Sequence, residues 1–357
     1  MEVIANALQI GKINVRNHFN TVWLGLTYQC NSRCKWCYAA SETFANAPKE
    51  ELNKSQEIVS LLKKLSVPKV ILIGGEPTLY SNIGLLISNL RSHDINVGIV
   101  SNGRRFSSKE FTRDMWERRL NYATFSLEGS NSRIHDNTTQ SPGSFDQLIS
   151  GIKNAQTCGL RVTTNTNISS LNVSNLEEII ELVSSLGIEM HTFNACGACL
   201  TRSNSEPYML RIREYAAAFQ QVYFYALNKG VKSRLVTPIP RCSFSRLEEL
   251  KTNKAVPSGP CQVVTGRNFV IDYNGDVLPC THFSGFPFFN IFENGNVITP
   301  EIFLERYFSE DSCGFRKMMN RYPSTSCNSC KENCTGGCPI FWTKYNPEIE
   351  MHGFQKQ

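Results

Sequence analysis

A chain of 357 residues with 41% hydrophobic content exceeds the roughly 250–300 residues that one core supports, which excludes a disordered protein and predicts a large domain with a smaller companion. Its net charge of +6 comes from Lys and Arg residues spread along the chain, with no basic stripe interleaved with aromatics to make a nucleic-acid groove. No apolar run approaches about 20 residues and the opening MEVIANALQIGKINVRN is not a secretory signal, so a cytoplasmic protein with no membrane partner is expected, in which 14 cysteines point to metal or redox chemistry.

In chain order, residues 1–20 form an N-terminal segment. Six apolar runs follow, at 21–27, 69–74, 95–100, 121–127, 160–168 and 188–194. Between them lie SQEIVSLLKKL, IGLLISNLRS, FDQLISGIKNAQ and NLEEIIELVSSLG, which have helical spacing. This alternation predicts an α/β domain with a parallel sheet, and an open six-strand barrel and a doubly wound sheet both satisfy it. In either case ligands belong at the C-terminal ends of the strands. There the sequence places Cys30, Cys34 and Cys37 after the first strand, GGEP (74–77) after the second, SNG (101–103) after the third and SLEG (126–129) after the fourth.

A long helical pattern over 206–230 then leads into a cysteine-rich remainder, which predicts a first domain over 21–234 and a second over 235–357. In the second, alternating runs flank Asn274-Gly275, a strong hairpin signal that brings Cys261 and Cys280 together. Cys327, Cys330, Cys334 and Cys338 follow in one short stretch, too densely packed for core thiols.

Thiolates suit zinc and iron–sulfur clusters, and a structural site normally takes four. Three thiolates on one loop can hold three corners of a [4Fe–4S] cube and leave the fourth iron free to bind a ligand. A zinc site completed by a distant residue such as His18 or His93 is the alternative. CxxxCxxC with Trp36 before the last cysteine, followed by GGEP after the next strand, resembles the radical S-adenosylmethionine (SAM) enzymes. The resemblance implies a partial (β/α)6 TIM-like barrel, with a [4Fe–4S] cluster on Cys30, Cys34 and Cys37 that binds SAM and cleaves it to a 5′-deoxyadenosyl radical. It also implies that Gly74, Gly75 and Glu76 face the cofactor's ammonium group, and that Ser101, Asn102, Ser126 and Glu128 face its ribose and methionine parts. SLEG…HD resembles one branch of the family, except that Glu128 stands where Asp is usual and the usual Arg is missing; Arg133 and Arg161 are candidates to neutralise the carboxylate.

The C-terminal cysteines resemble the SPASM domain, which implies one or two auxiliary [4Fe–4S] clusters in a smaller cysteine-rich domain containing a β-hairpin. Cys261, Cys280 and Cys338 would serve one cluster, and Cys327, Cys330 and Cys334 another. No cysteine follows Cys338, which leaves these alternatives: Cys242 or Cys313 completes one cluster, or the second cluster is open, ligated by a non-cysteine group, or absent. Cys158 reads as a small buried hydrophobe, and Cys196 and Cys199 form a CxxC at the rim with no role in the resemblance. His191, Glu206, Asp272 and Asp276 are candidate acids or bases by chain order alone.

The expected function is maturation of a ribosomally made precursor peptide, by thioether, ether or carbon–carbon crosslinking or by inversion of a stereocentre. Flavodoxin or ferredoxin is the expected reductant. Formylglycine formation in a sulfatase and a non-catalytic iron–sulfur electron carrier are the alternatives.

Overall fold

The computed structural model describes residues 18–37, 51–197, 200, 205–320, 323–325, 327, 330, 332 and 334–351. Six parallel strands stand where the apolar runs predict them: β1 (Thr21–Gly25), β2 (Lys69–Ile73), β3 (Asn96–Ser101), β4 (Tyr122–Ser126), β5 (Arg161–Ile168) and β6 (Met190–Ala195). The helices between them are α1 (Ser55–Lys64), α2 (Ile83–Ser92), α3 (Lys109–Glu117), α4 (Ser132–Thr139), α5 (Ser144–Thr157) and α6 (Leu176–Ser185).

Neighbouring strands in the sheet follow chain order from β1 to β6 without reversal. A doubly wound sheet reverses its order at a switch point, so this topology is that of a partial barrel, with its helices on one face. Side-chain burial agrees. Along β2, β4 and β6 buried positions alternate with half-buried ones, and the buried set packs under helices, as Phe193 does against Phe219 at 5.9 Å. The half-buried set, including Thr124, Ser126, Thr192 and Asn194, lines the open concave face.

Two features depart from expectation. The long helical pattern is broken: Glu206–Tyr208 is a single 3-10 turn and α7 spans Ile212–Asn228. A seventh parallel strand, β7 (Lys232–Leu235), pairs with β6; its KSRL sequence is too polar to read as a buried strand.

The expected hairpin forms as β8 (Asn268–Ile271) and β9 (Asp276–Leu278), with Gly275 at φ +87°. It does not stand apart from the barrel. β8 pairs in parallel with β1, and β9 pairs antiparallel with β10 (Phe289–Asn290), so that one ten-stranded sheet runs β10-β9-β8-β1-β2-β3-β4-β5-β6-β7. Beneath this join Phe19, Phe269, Phe303 and Tyr307 form a buried aromatic cluster, the last two from α8 (Pro300–Tyr307). Helix α9 (Glu310–Met319) follows.

Candidate cofactor and metal site

The loop carrying Cys30, Cys34 and Cys37 leaves β1 at the barrel's C-terminal rim, and backbone bonds from two directions hold it. On one side Gly75 N donates to Thr27 O at 2.7 Å and Glu76 N to Gln29 O at 2.8 Å. Contact this close needs glycine: a Cβ on Gly74, whose φ is +148°, would lie 2.3 Å from Thr27 O, and one on Gly75 would lie 2.5 Å from Gln29 O and from Tyr28 O. On the other side Arg33 N and Lys35 N donate to Thr139 O and Thr138 O at the end of α4, both at 2.9 Å. Helix C-termini leave such carbonyls without intrahelical partners. The Arg104 guanidinium donates to Asn31 O, and Asn102 Nδ2 donates to Asn31 Oδ1 at 2.7 Å.

Glu76 joins the loops after β2 and β3. Its Oε1 accepts from Thr78 N at 3.1 Å, Thr78 Oγ1 at 2.7 Å and Ser101 Oγ at 2.8 Å, while Oε2 accepts from Asn102 N at 2.8 Å. Burial pushes this carboxyl up, against the pull of those donors.

Glu128 plays a comparable part after β4. It is fully buried and accepts from Asn167 N at 3.2 Å and Asn167 Nδ2 at 3.0 Å, and burial raises its pKa to about 8. Its backbone N–H donates to His135 Nδ1 at 3.1 Å; burial lowers His135 to about 4, which keeps that nitrogen an acceptor. The neighbouring Asp136 accepts from Gly143 N at 2.7 Å, Phe145 N at 2.8 Å and Ser144 Oγ at 2.9 Å, and so locks α4 to the start of α5. The HD pair thus braces the helix end that holds the cysteine loop. Ser126 Oγ lies 3.4 Å from Asn165 Oδ1 on the concave wall.

The three thiols feel one another. Burial, then Glu76 and Cys37, push Cys30 up to about 12, and Cys34 rises for burial and its proximity to Cys37, Cys30 and Glu128. A bound metal cation reverses this balance and stabilises thiolates. Among the described residues no three His, Cys, Asp or Glu side chains converge tightly enough to share one metal ion. A cubane presents its irons at separate corners and takes thiolates spaced more widely than a single zinc ion, which draws each sulfur to about 2.3 Å. Soft donors on a rigid rim loop therefore fit an iron–sulfur cluster.

Of the four candidate acids and bases, Asp272 alone reaches this loop. It stands just past β8, is buried, and accepts from Tyr28 OH at 2.6 Å. His191 is buried on the helix side of β6 with Nδ1 2.8 Å from Thr164 Oγ1. Exposed Glu206 pairs with Lys344 at 2.6 Å, and Asp276 accepts from Asn274 in its hairpin turn and from Asn290 on β10. Arg161 begins β5, at the end of the strand opposite the rim, and Arg133 is exposed on α4. Cys196, just past β6, is buried within electrostatic reach of Glu128 and Cys37, while Cys199 lies outside the described residues. Arg104 and the α4 carbonyls carried no sequence signal, because neither an arginine after a turn nor a helix end announces its partner.

Most of the remaining cysteines fall into two groups. Cys261, Cys280 and Cys338 lie within electrostatic reach of one another and pack around Val263, Phe283 and Ile340. Cys327, Cys330 and Cys334 lie near Cys242. Cys313, on α9, joins neither group; its thiol donates to Phe308 O at 3.5 Å. Cys158 caps the end of α5 and is half-buried.

Residues 24–186 match the Radical SAM superfamily, and residues 261–332 match SPASM, an iron–sulfur cluster-binding domain. The chain is 27% identical over 319 residues to the mycofactocin maturase MftC of Mycobacterium tuberculosis, covering 88% of this chain and 76% of that protein. It is 26% identical over 162 residues to the Fe-coproporphyrin III synthase of Methanosarcina barkeri, covering 45% of this chain and 40% of that one. Its fold resembles Streptococcus suis SuiB bound to S-adenosylmethionine, with a TM-score of 0.68 at 18% identity over 93% of this chain and 76% of that one. It also resembles anSMEcpe with bound AdoMet, with a TM-score of 0.70 at 16% identity over 89% of both chains.

Proposed function

We propose that this chain, a radical SAM protein with a C-terminal SPASM domain, is a maturase that modifies a precursor peptide by abstracting a hydrogen atom from one of its carbons. The observation that carries the reading is the three-cysteine loop clamped to the barrel rim between the GGE turn and the end of α4. Cys30, Cys34 and Cys37 would hold a [4Fe–4S] cluster, and Gly74, Gly75, Glu76, Ser101, Asn102, Ser126 and Glu128 would surround the cofactor. When bound, cluster and SAM supply a 5′-deoxyadenosyl radical.

The chain's own residues orient and shield. Glu76 holds the loops after β2 and β3 in register, and Asn102 ties the second of them to the cysteine loop. Glu128, with its pKa raised to about 8, carries a proton at neutral pH and keeps an extra negative charge away from Cys34. The open wall of Thr, Ser and Asn side chains suits an extended polar chain laid across it. Support for a peptide comes from the aligned relative named a maturase, and from SuiB, which has been solved bound to its precursor peptide SuiA. The bond made would be a thioether, ether or carbon–carbon crosslink, or an inverted stereocentre. An acidic electron carrier such as flavodoxin or ferredoxin complements the net charge of +6.

The test is anaerobic reconstitution followed by assay of 5′-deoxyadenosine from SAM under strong reductant. Wild type is expected to make it, and a Cys30→Ala/Cys34→Ala/Cys37→Ala variant to make none while keeping most of its iron. Wild type with full iron and no deoxyadenosine overturns the reading.

A further inference from the structure

We propose that Cys242 is the fourth thiolate of a closed cluster site completed by Cys327, Cys330 and Cys334. The inference rests on the reading of the C-terminal region as a cluster domain. Cys242 lies outside both matched regions, 24–186 and 261–332, and is 85 positions ahead of Cys327 by subtraction of the two residue numbers.

Three contacts bolt its loop to the cysteine run. The adjacent Arg241 is buried, and its Nη1 lies 2.9 Å from Oε2 of Glu332, which stands between Cys330 and Cys334. Glu332 is itself held in the run, since its N–H donates to Cys330 Sγ at 3.4 Å and its carbonyl accepts from Cys334 N at 3.0 Å. Farther along, Cys338 N donates to Pro238 O at 2.9 Å, and a Cβ on Gly337 would lie 2.8 Å from Pro240 Cδ. The stretch just before Cys242, residues 238–241, is therefore held against the run at Glu332 and at Gly337 and Cys338, and Cys242 lies within electrostatic reach of Cys334, Cys327 and Cys330. Cys313 is turned toward Phe308 instead.

The consequence is chemical. A cube with four thiolates has no open iron, so this site exchanges electrons and binds no substrate atom. Arg241 and Lys251, both paired with Glu332, place positive charge beside it, which favours the reduced cluster.

The experiment uses the variant lacking Cys30, Cys34 and Cys37 as parent, so that only auxiliary iron is counted. Cys242→Ala, Cys242→Ser and Cys313→Ala are added singly; iron and sulfide are measured after reconstitution, with electron paramagnetic resonance (EPR) of the reduced proteins. Cys242→Ala is expected to lose one EPR component and up to roughly four iron and four sulfide per chain, while Cys313→Ala matches the parent. Cys242→Ser keeps the side-chain volume and guards against misfolding; a changed signal in one component supports the ligand role. Iron counts and spectra identical to the parent in both Cys242 variants overturn it. A parent with no iron, or with zinc and no sulfide, overturns the cluster reading of the domain itself.

Discussion

Glu76 receives four hydrogen bonds from three residues, so a side chain that looks like a ligand group serves as an internal clip. In Glu76→Gln an amide N–H₂ must face one of those donors. The expected loss is about 1–3 kcal/mol of stability, with deoxyadenosine formation falling roughly 10- to 100-fold because the loops shift; thermal unfolding and the SAM cleavage assay read both. Glu128 makes a pH prediction. The unfolded chain ionises this carboxyl near its usual 4.5 and the folded chain near 8. Its contribution to stability is therefore complete below pH 4.5 and is lost as pH rises to 8. Glu128→Gln removes the titration, so its melting temperature should gain on wild type between pH 6 and pH 8.5, and a constant difference across that range counts against the buried proton.

At the scale of elements, the contact between the GGE turn and the cysteine loop leaves no room for a methyl group. Gly75→Ala should push the turn off Gln29 O and Tyr28 O, so that the loop fails to retain iron after reconstitution while the auxiliary sites keep theirs; retention of all iron with normal SAM cleavage would show that the loop adapts. Strands β1 to β3 were legible as runs of Val, Ile and Leu, and β4 to β6 as short stretches rich in aromatic and β-branched residues alternating with polar ones. β7 was not, since Lys232 and Arg234 fill half of it. The placement of the three rim cysteines and GGEP after β1 and β2 could be read from the order of the apolar runs, while their reading as a cofactor site came from the resemblance. Cys242 could not be assigned between the clusters, because proximity between positions so far apart in the chain is set by tertiary packing and leaves no local pattern.

On the scale of the whole molecule, the expected boundary near residue 235 cuts through a continuous sheet. We propose that the two regions fold as one unit. A fragment ending at residue 234 would lose β8 and strip Phe19 of Phe269, Phe303 and Tyr307. It is expected to be insoluble or to melt without a cooperative transition, whereas a cooperative, soluble fragment would restore the independent first domain. The pairing of β1 with β8 also orders events in time. Thr21 and Asn268 are 247 positions apart, which at about 5–20 residues per second of synthesis is a delay of roughly 12–50 s. During that interval the emerging chain presents its first cysteine loop on a strand whose outer edge is still bare. The bare edge of β1 is therefore open to pairing with other chains until β8 is made, and Cys30, Cys34 and Cys37 emerge well before the strand that covers that edge.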